Sequence, residues 1–152
     1  MNTQASDYLR AQHKSLAARI VELQYALQPD IWSPYGRTGR EVSARDNCYH
    51  LNYLAEAVQA ADPALFIEYL AWVKVLFAGL KFPENALPAM LECTRRALVE
   101  MLPQVMQPLV MDIVNPALLS LPQSPSLPPS FLGGNEPIDH LARRYLDSLL
   151  SG

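Results

Sequence analysis

Cysteine is scarce: Cys48 and Cys93 are the only two in 152 residues. Two cysteines cannot build a disulfide framework, so a reducing cytoplasm is the expected compartment. Charge of one sign is missing too, since 12 Lys and Arg against 15 Asp and Glu leave a net charge of −3. That balance gives no electrostatic footprint for nucleic acid or anionic lipid, and neither is expected as a partner. Long apolar runs are absent as well. The stretches 64–80 and 105–121 are broken by Glu68, Lys74, Asp112 and several prolines, whereas a bilayer-spanning helix wants about 20 nearly uninterrupted apolar residues. The first ten residues are polar and lack the basic-then-apolar order of a secretory signal. No alternating pattern flanked by turn residues marks a strand, and β-branched residues are few.

What is present is apolar surface at helical spacing. Half the residues are hydrophobic and 18% are charged, which excludes a disordered tail. A chain of this length buries roughly 70% of its unfolded surface, enough for one domain without staples. The expected fold is all-α: a single-domain bundle of five to six helices over residues 1–119, either up-and-down or with globin-like crossings. The linker 120–136 and a last helix over 137–152 complete it.

The spacing of Leu9, Leu16, Ile20, Leu23 and Leu27 predicts a first helix, with Arg10, Lys14, Arg19 and Glu22 facing water. Pro29 and Pro34 end it. The segment 29–39 reads as a connector whose rings, Trp32 and Tyr35, should lie down on the core. A second helix is predicted from about Arg40 to Ala60. Asp62-Pro63 is a start signal for a third, with a carboxylate at the cap and proline in the first position. That helix, running to about Leu80 with Gly79 as its stop, is the most apolar. It should sit centrally or at a subunit interface formed by Phe66, Tyr69, Val73 and Phe77. A fourth helix is predicted from Pro83 or Asn85 to Met101, and a fifth, kinked or short, around Val105–Leu118. Four prolines (Pro122, Pro125, Pro128 and Pro129, with Pro137 just beyond), serines and Gly133-Gly134 then describe an extended linker. The closing helix, with Tyr145 and Leu149 on its apolar side, is too short to stand alone. It should dock on its own bundle or on a neighbouring subunit.

Few residues suggest chemistry. Asp46 and His50 are four apart, where an acid could orient an imidazole, but neither a nucleophile nor a pocket accompanies them in the sequence. The histidines have no metal-ligand spacing, and no Cys-x-x-Cys occurs, so no metal is expected. Gly36-Arg37-Thr38-Gly39 is not a phosphate loop, since it lacks the preceding strand and the lysine-hydroxyl pair. Arg37, Arg40 and Arg45 read as a solvated basic cluster paired with Glu41 and Asp46. His50, flanked by Tyr49 and Tyr53 and facing Trp72, could line a flat apolar ligand pocket.

The stretches Tyr35-Gly36-Arg37-Thr38-Gly39-Arg40 and Asp46-Asn47-Cys48-Tyr49-His50-Leu51-Asn52-Tyr53-Leu54-Ala55-Glu56-Ala57 come before Leu65-Phe66, Tyr69 and Trp72. Together they resemble the N-terminal helical module of bacterial regulators that carry a cobalamin-binding domain. The likeness covers about two-thirds of the chain. The closing segment 141–152 resembles the first helix of the cap of such domains. The Asp-x-His-x-x-Gly loop that ligates cobalt in many of them is absent, so the resemblance implies a stand-alone or degenerate relative of the module and no bound cofactor. It implies a sensory or assembly role rather than catalysis. Two expectations follow: a non-enzymatic regulatory domain acting as a homodimer or on a protein partner, or a sensor of a tetrapyrrole-like or corrinoid-like small ligand near His50 and Trp72.

Overall fold

The computed structural model describes residues 1–125, and no strand occurs among them. The helix expected over 137–152, with Tyr145 and Leu149, lies outside the described residues, as does most of the 120–136 linker. Five long helices form the bundle: α1 (Asn2–Leu27), α3 (Gly36–Ala60), α4 (Pro63–Gly79), α5 (Ala86–Met101) and α6 (Gln107–Ser120). A single turn, α2 (Pro29–Trp32), and a 3₁₀ turn (Ser33–Tyr35) join α1 to α3. The connector is therefore helical, and α3 starts earlier than Arg40. The reversal is made at Gly36, whose φ of 61° and ψ of −150° belong to a region open almost only to glycine.

Helices α1 and α3 pack along one another, and α5 covers the other side of α1. Helix α6 lies against α4, α5 and α3, so α4 touches α5 only slightly despite their adjacency in sequence. The apolar stripe of α1 is fully buried at Ala5, Leu9, Leu16 and Ile20, as its spacing requires. Ionic contacts fasten the outside. Arg19 grips Glu100 of α5 at 2.8 Å, and Arg10 reaches Glu56 of α3 at 3.0 Å. Helix α6 runs through Pro116. Below its last turn, the Lys74 ammonium donates to the carbonyls of Leu121 and Ser124, both at 2.7 Å.

Helix α4 is central, the first of the two places expected for it. Phe66, Tyr69, Val73 and Phe77, expected at a subunit interface, are only 1, 6, 0 and 8% exposed within the single chain. Contacts from α3 and α6 already cover this helix. It begins as the sequence requires, with Asp62 Oδ1 accepting from the Ala64 amide at 3.0 Å and Pro63 in the first turn.

The ends of α3 and α4 share a device the sequence does not advertise. The Asp62 amide donates to the Ala57 carbonyl and the Ala61 amide to that of Val58; likewise Phe82 donates to Phe77 and Lys81 to Ala78. Both are Schellman stops, yet the left-handed position is held by Ala61 (φ 51°) and Lys81 (φ 63°), not glycine. Gly79, expected as the stop, is still inside α4. A side chain in the left-handed region costs about 1 kcal/mol or more. Replacing Ala61→Gly should accordingly raise the unfolding free energy by about 0.5–1 kcal/mol. An unchanged or lowered urea midpoint would show that the Ala61 backbone is not strained.

Candidate functional site

The second Schellman stop builds a wall. Its apolar contact sets Phe82 edge-on to Phe77, with ring centroids 5.1 Å apart. Phe82 then meets Trp32 at 5.4 Å and Tyr35 at 6.1 Å, both edge-on, and Trp32 lies against Tyr25 of α1 at 6.4 Å. Trp32 is buried, as expected of a connector ring, while Tyr35 is half-exposed. Gly39 makes room for this. A Cβ there would crowd Tyr35 and come 3.0 Å from the Tyr25 hydroxyl. Arg40 stacks over the Tyr25 ring at 4.1 Å.

Facing these rings is a polar wall. Together they enclose a cavity of about 320 Å³ whose lining includes Gln24, Asp46, Asn47 and His50, all of them buried. The Asn47 amide nitrogen donates to Gln24 Oε1 at 3.3 Å and to the Ser43 carbonyl at 2.9 Å. Its own oxygen Oδ1 accepts no hydrogen bond, and neither does Asp46 Oδ1. The Arg45 Nε is 3.8 Å from Asp46 Oδ1, an ionic contact beyond hydrogen-bond reach. Two adjacent buried acceptors without a hydrogen bond are rare in a folded interior and call for an explanation.

Behind the cavity, His50 Nδ1 and the Tyr69 hydroxyl share a hydrogen bond of 2.6 Å. Among the described residues the ring's Nδ1 partner is thus Tyr69 rather than Asp46. Tyr53 stacks flat on Tyr69 at 4.0 Å, and Trp72 lies 5.9 Å from it. Three of the four expected pocket residues, His50, Tyr53 and Trp72, do gather, but around Tyr69. Only His50 of them lines the cavity. Tyr49 does not join them: it is 45% exposed, because it falls on the outer face of α3. The tryptophan at the cavity is Trp32. Asn47, Gln24, Trp32 and Phe82 are the site residues that sequence reasoning missed. Cys48 faces the His13 carbonyl and stands apart from the cavity.

Burial sets the electrostatics. It pushes the Asp46 carboxyl up from 3.8 to about 7, against the pull of Arg45. The His50 ring, by the same cause, falls from 6.5 to about 3 and stays neutral. Burial also raises the Tyr69 hydroxyl well above its ordinary range, aided by Tyr53 and Asp46. No group of three or more metal-ligating side chains occurs among the described residues, and no helix among them is long and apolar enough to cross a membrane.

No family model, curated protein or solved structure matches the chain.

Opposite shifts give opposite pH dependences. An acid raised by folding loses stability as pH climbs from its unfolded value of 3.8 to about 7, because the unfolded chain ionises first. A histidine lowered by folding loses stability as pH falls from 6.5 to about 3, because the unfolded chain protonates first. Over the interval between about 4 and 6.5 the two slopes oppose, and their joint contribution is level. Asp46→Asn should remove one arm. Its stability should rise between pH 4 and 6.5 and exceed that of the native chain by on the order of 3 kcal/mol above pH 7. Urea unfolding across this range reads it out, and parallel profiles for the two chains would contradict the buried carboxyl.

Proposed function

We propose that this protein is a non-enzymatic sensory domain that binds a small organic ligand in the cavity between α1, α3 and the turn after α4. The observation that carries the reading is the pairing of an aromatic wall with a buried polar wall across about 320 Å³. Apolar cavities with a few convergent polar groups are the usual form of a small-molecule site. The volume lies at the low end for such sites and favours a one- or two-ring molecule over a corrinoid or other macrocycle.

Binding is favoured over catalysis. No serine, threonine or cysteine among the described residues hydrogen-bonds to Asp46 or His50, so the site offers no activated nucleophile. A ring held neutral down to about pH 3 is also poorly matched to proton transfer near neutrality. The likeness to the helical module of cobalamin-domain regulators supports a regulatory role for the bound state. Ligand binding is preferred to homodimerisation through α4, because that helix is already covered by its own chain. Both cysteines are free thiols, in keeping with the reducing cytoplasm proposed as the compartment.

Ligand-observed NMR with a library of one- and two-ring aromatics tests the reading. Hits should quench the emission of Trp32, which lines the cavity, and Val42→Phe should abolish them by filling it. A folded Val42→Phe chain that still binds the same compounds, or a library without hits, would contradict a site at this cavity.

A further inference from the structure

The two walls differ in what they ask of an occupant. The ring wall is a continuous apolar surface of Trp32, Tyr35 and Phe82, against which a flat molecule can stack or meet an edge. The polar wall asks for donors. The Asn47 nitrogen is spent on Gln24 and Ser43, and the His50 Nδ1 is engaged by Tyr69. Asp46 Oδ1 and Asn47 Oδ1, on consecutive residues of α3, are acceptors without a hydrogen bond. A hydrocarbon occupant would leave both oxygens unsatisfied, and an anion would meet the Asp46 carboxylate in a poorly solvated space. An aliphatic ammonium would answer the oxygens but offer no plane to the rings, and it would sit near Arg45 and Arg40. A flat group with two parallel N–H bonds answers both walls, and it matches the fork geometry of a carboxylate.

We propose that the cavity takes a small planar aromatic bearing an amidine-type pair of N–H donors, such as a 2-aminoimidazole edge, stacked on the ring wall and hydrogen-bonded to Asp46 and Asn47. The inference deepens the ligand-binding reading above and rests on it. Asp46 is the specificity residue: it accepts the paired donors, while Asn47 Oδ1 accepts a further N–H from the same edge.

The test compares 2-aminobenzimidazole with its isostere 2-methylbenzimidazole, which keeps the ring shape and lacks the exocyclic donor. Isothermal titration or ligand-observed NMR on the full native chain should show the amino compound binding at least about tenfold more tightly. On Asp46→Asn that preference should shrink severalfold, because 2-methylbenzimidazole offers residue 46 one ring N–H and loses less affinity than the amino compound. The comparison of two ligands on the native chain decides the point even if the variant fails to fold. Equal binding of the two compounds would overturn the donor-pair assignment and leave a cavity that binds flat apolar molecules. Binding of neither would overturn both the assignment and the site.

Discussion

A carboxyl, two amides and an imidazole are buried together at one end of this bundle, between α1, α3 and α4. Burying such groups is costly unless each finds a partner, and a helical bundle of this size has apolar residues enough to avoid them. Gln24 and Asn47 satisfy one another across the α1–α3 seam, and His50 is held by Tyr69. Asp46 Oδ1 and Asn47 Oδ1 are left without hydrogen bonds. The remaining architecture of that end, rings on one side and open volume between, is what such a pair of acceptors needs to receive something from outside.

The scaffold that presents this site is made of ordinary devices used at particular places. Gly36 turns the chain after Tyr35, and Trp32 lies back against Tyr25 of α1. The stop after α4, forced through Lys81 in a left-handed conformation, sets Phe82 on Phe77 and so into the wall. A residue without glycine's freedom at that corner is strained, and strain kept next to a cavity is often functional. At the opposite end of α1 the polar contacts are fully answered: Ser6 donates to the Ala55 carbonyl, and Arg10 donates to Ser6 and Glu56. One end of the α1–α3 pair is closed, and the other is left incomplete.

Much of the fold was legible in the sequence because the helices declare themselves locally. Leucines at three- and four-residue steps placed α1, and Asp62-Pro63 marked the start of α4 to the residue. The fourth helix, expected from Pro83 or Asn85 to Met101, is α5, which starts just after Asn85 and ends at Met101. Two features were not legible, for physical reasons. A helix that is apolar nearly all round reads the same whether its own chain or a second copy covers it, so the sequence left Phe66 and Tyr69 open between core and interface. The cavity draws on α1, the 29–35 connector, α3 and the turn at 80–82, and no spacing rule links those segments. Ring chemistry drew attention to Tyr49, whereas the residue that mattered was Asn47, an amide set beside Asp46 in the stretch of α3 that faces α1. A buried polar pair in an otherwise apolar seam is the signal that would have found the site.

The account stands on the Asp46 carboxyl being dry in the free chain. Carbon-detected NMR of that carboxyl group through a pH titration measures this directly. The account predicts a midpoint near 7. A midpoint close to 4, the ordinary value of a solvated aspartate, would mean that water already satisfies the carboxylate, and the case for an unfilled binding site would fail with it.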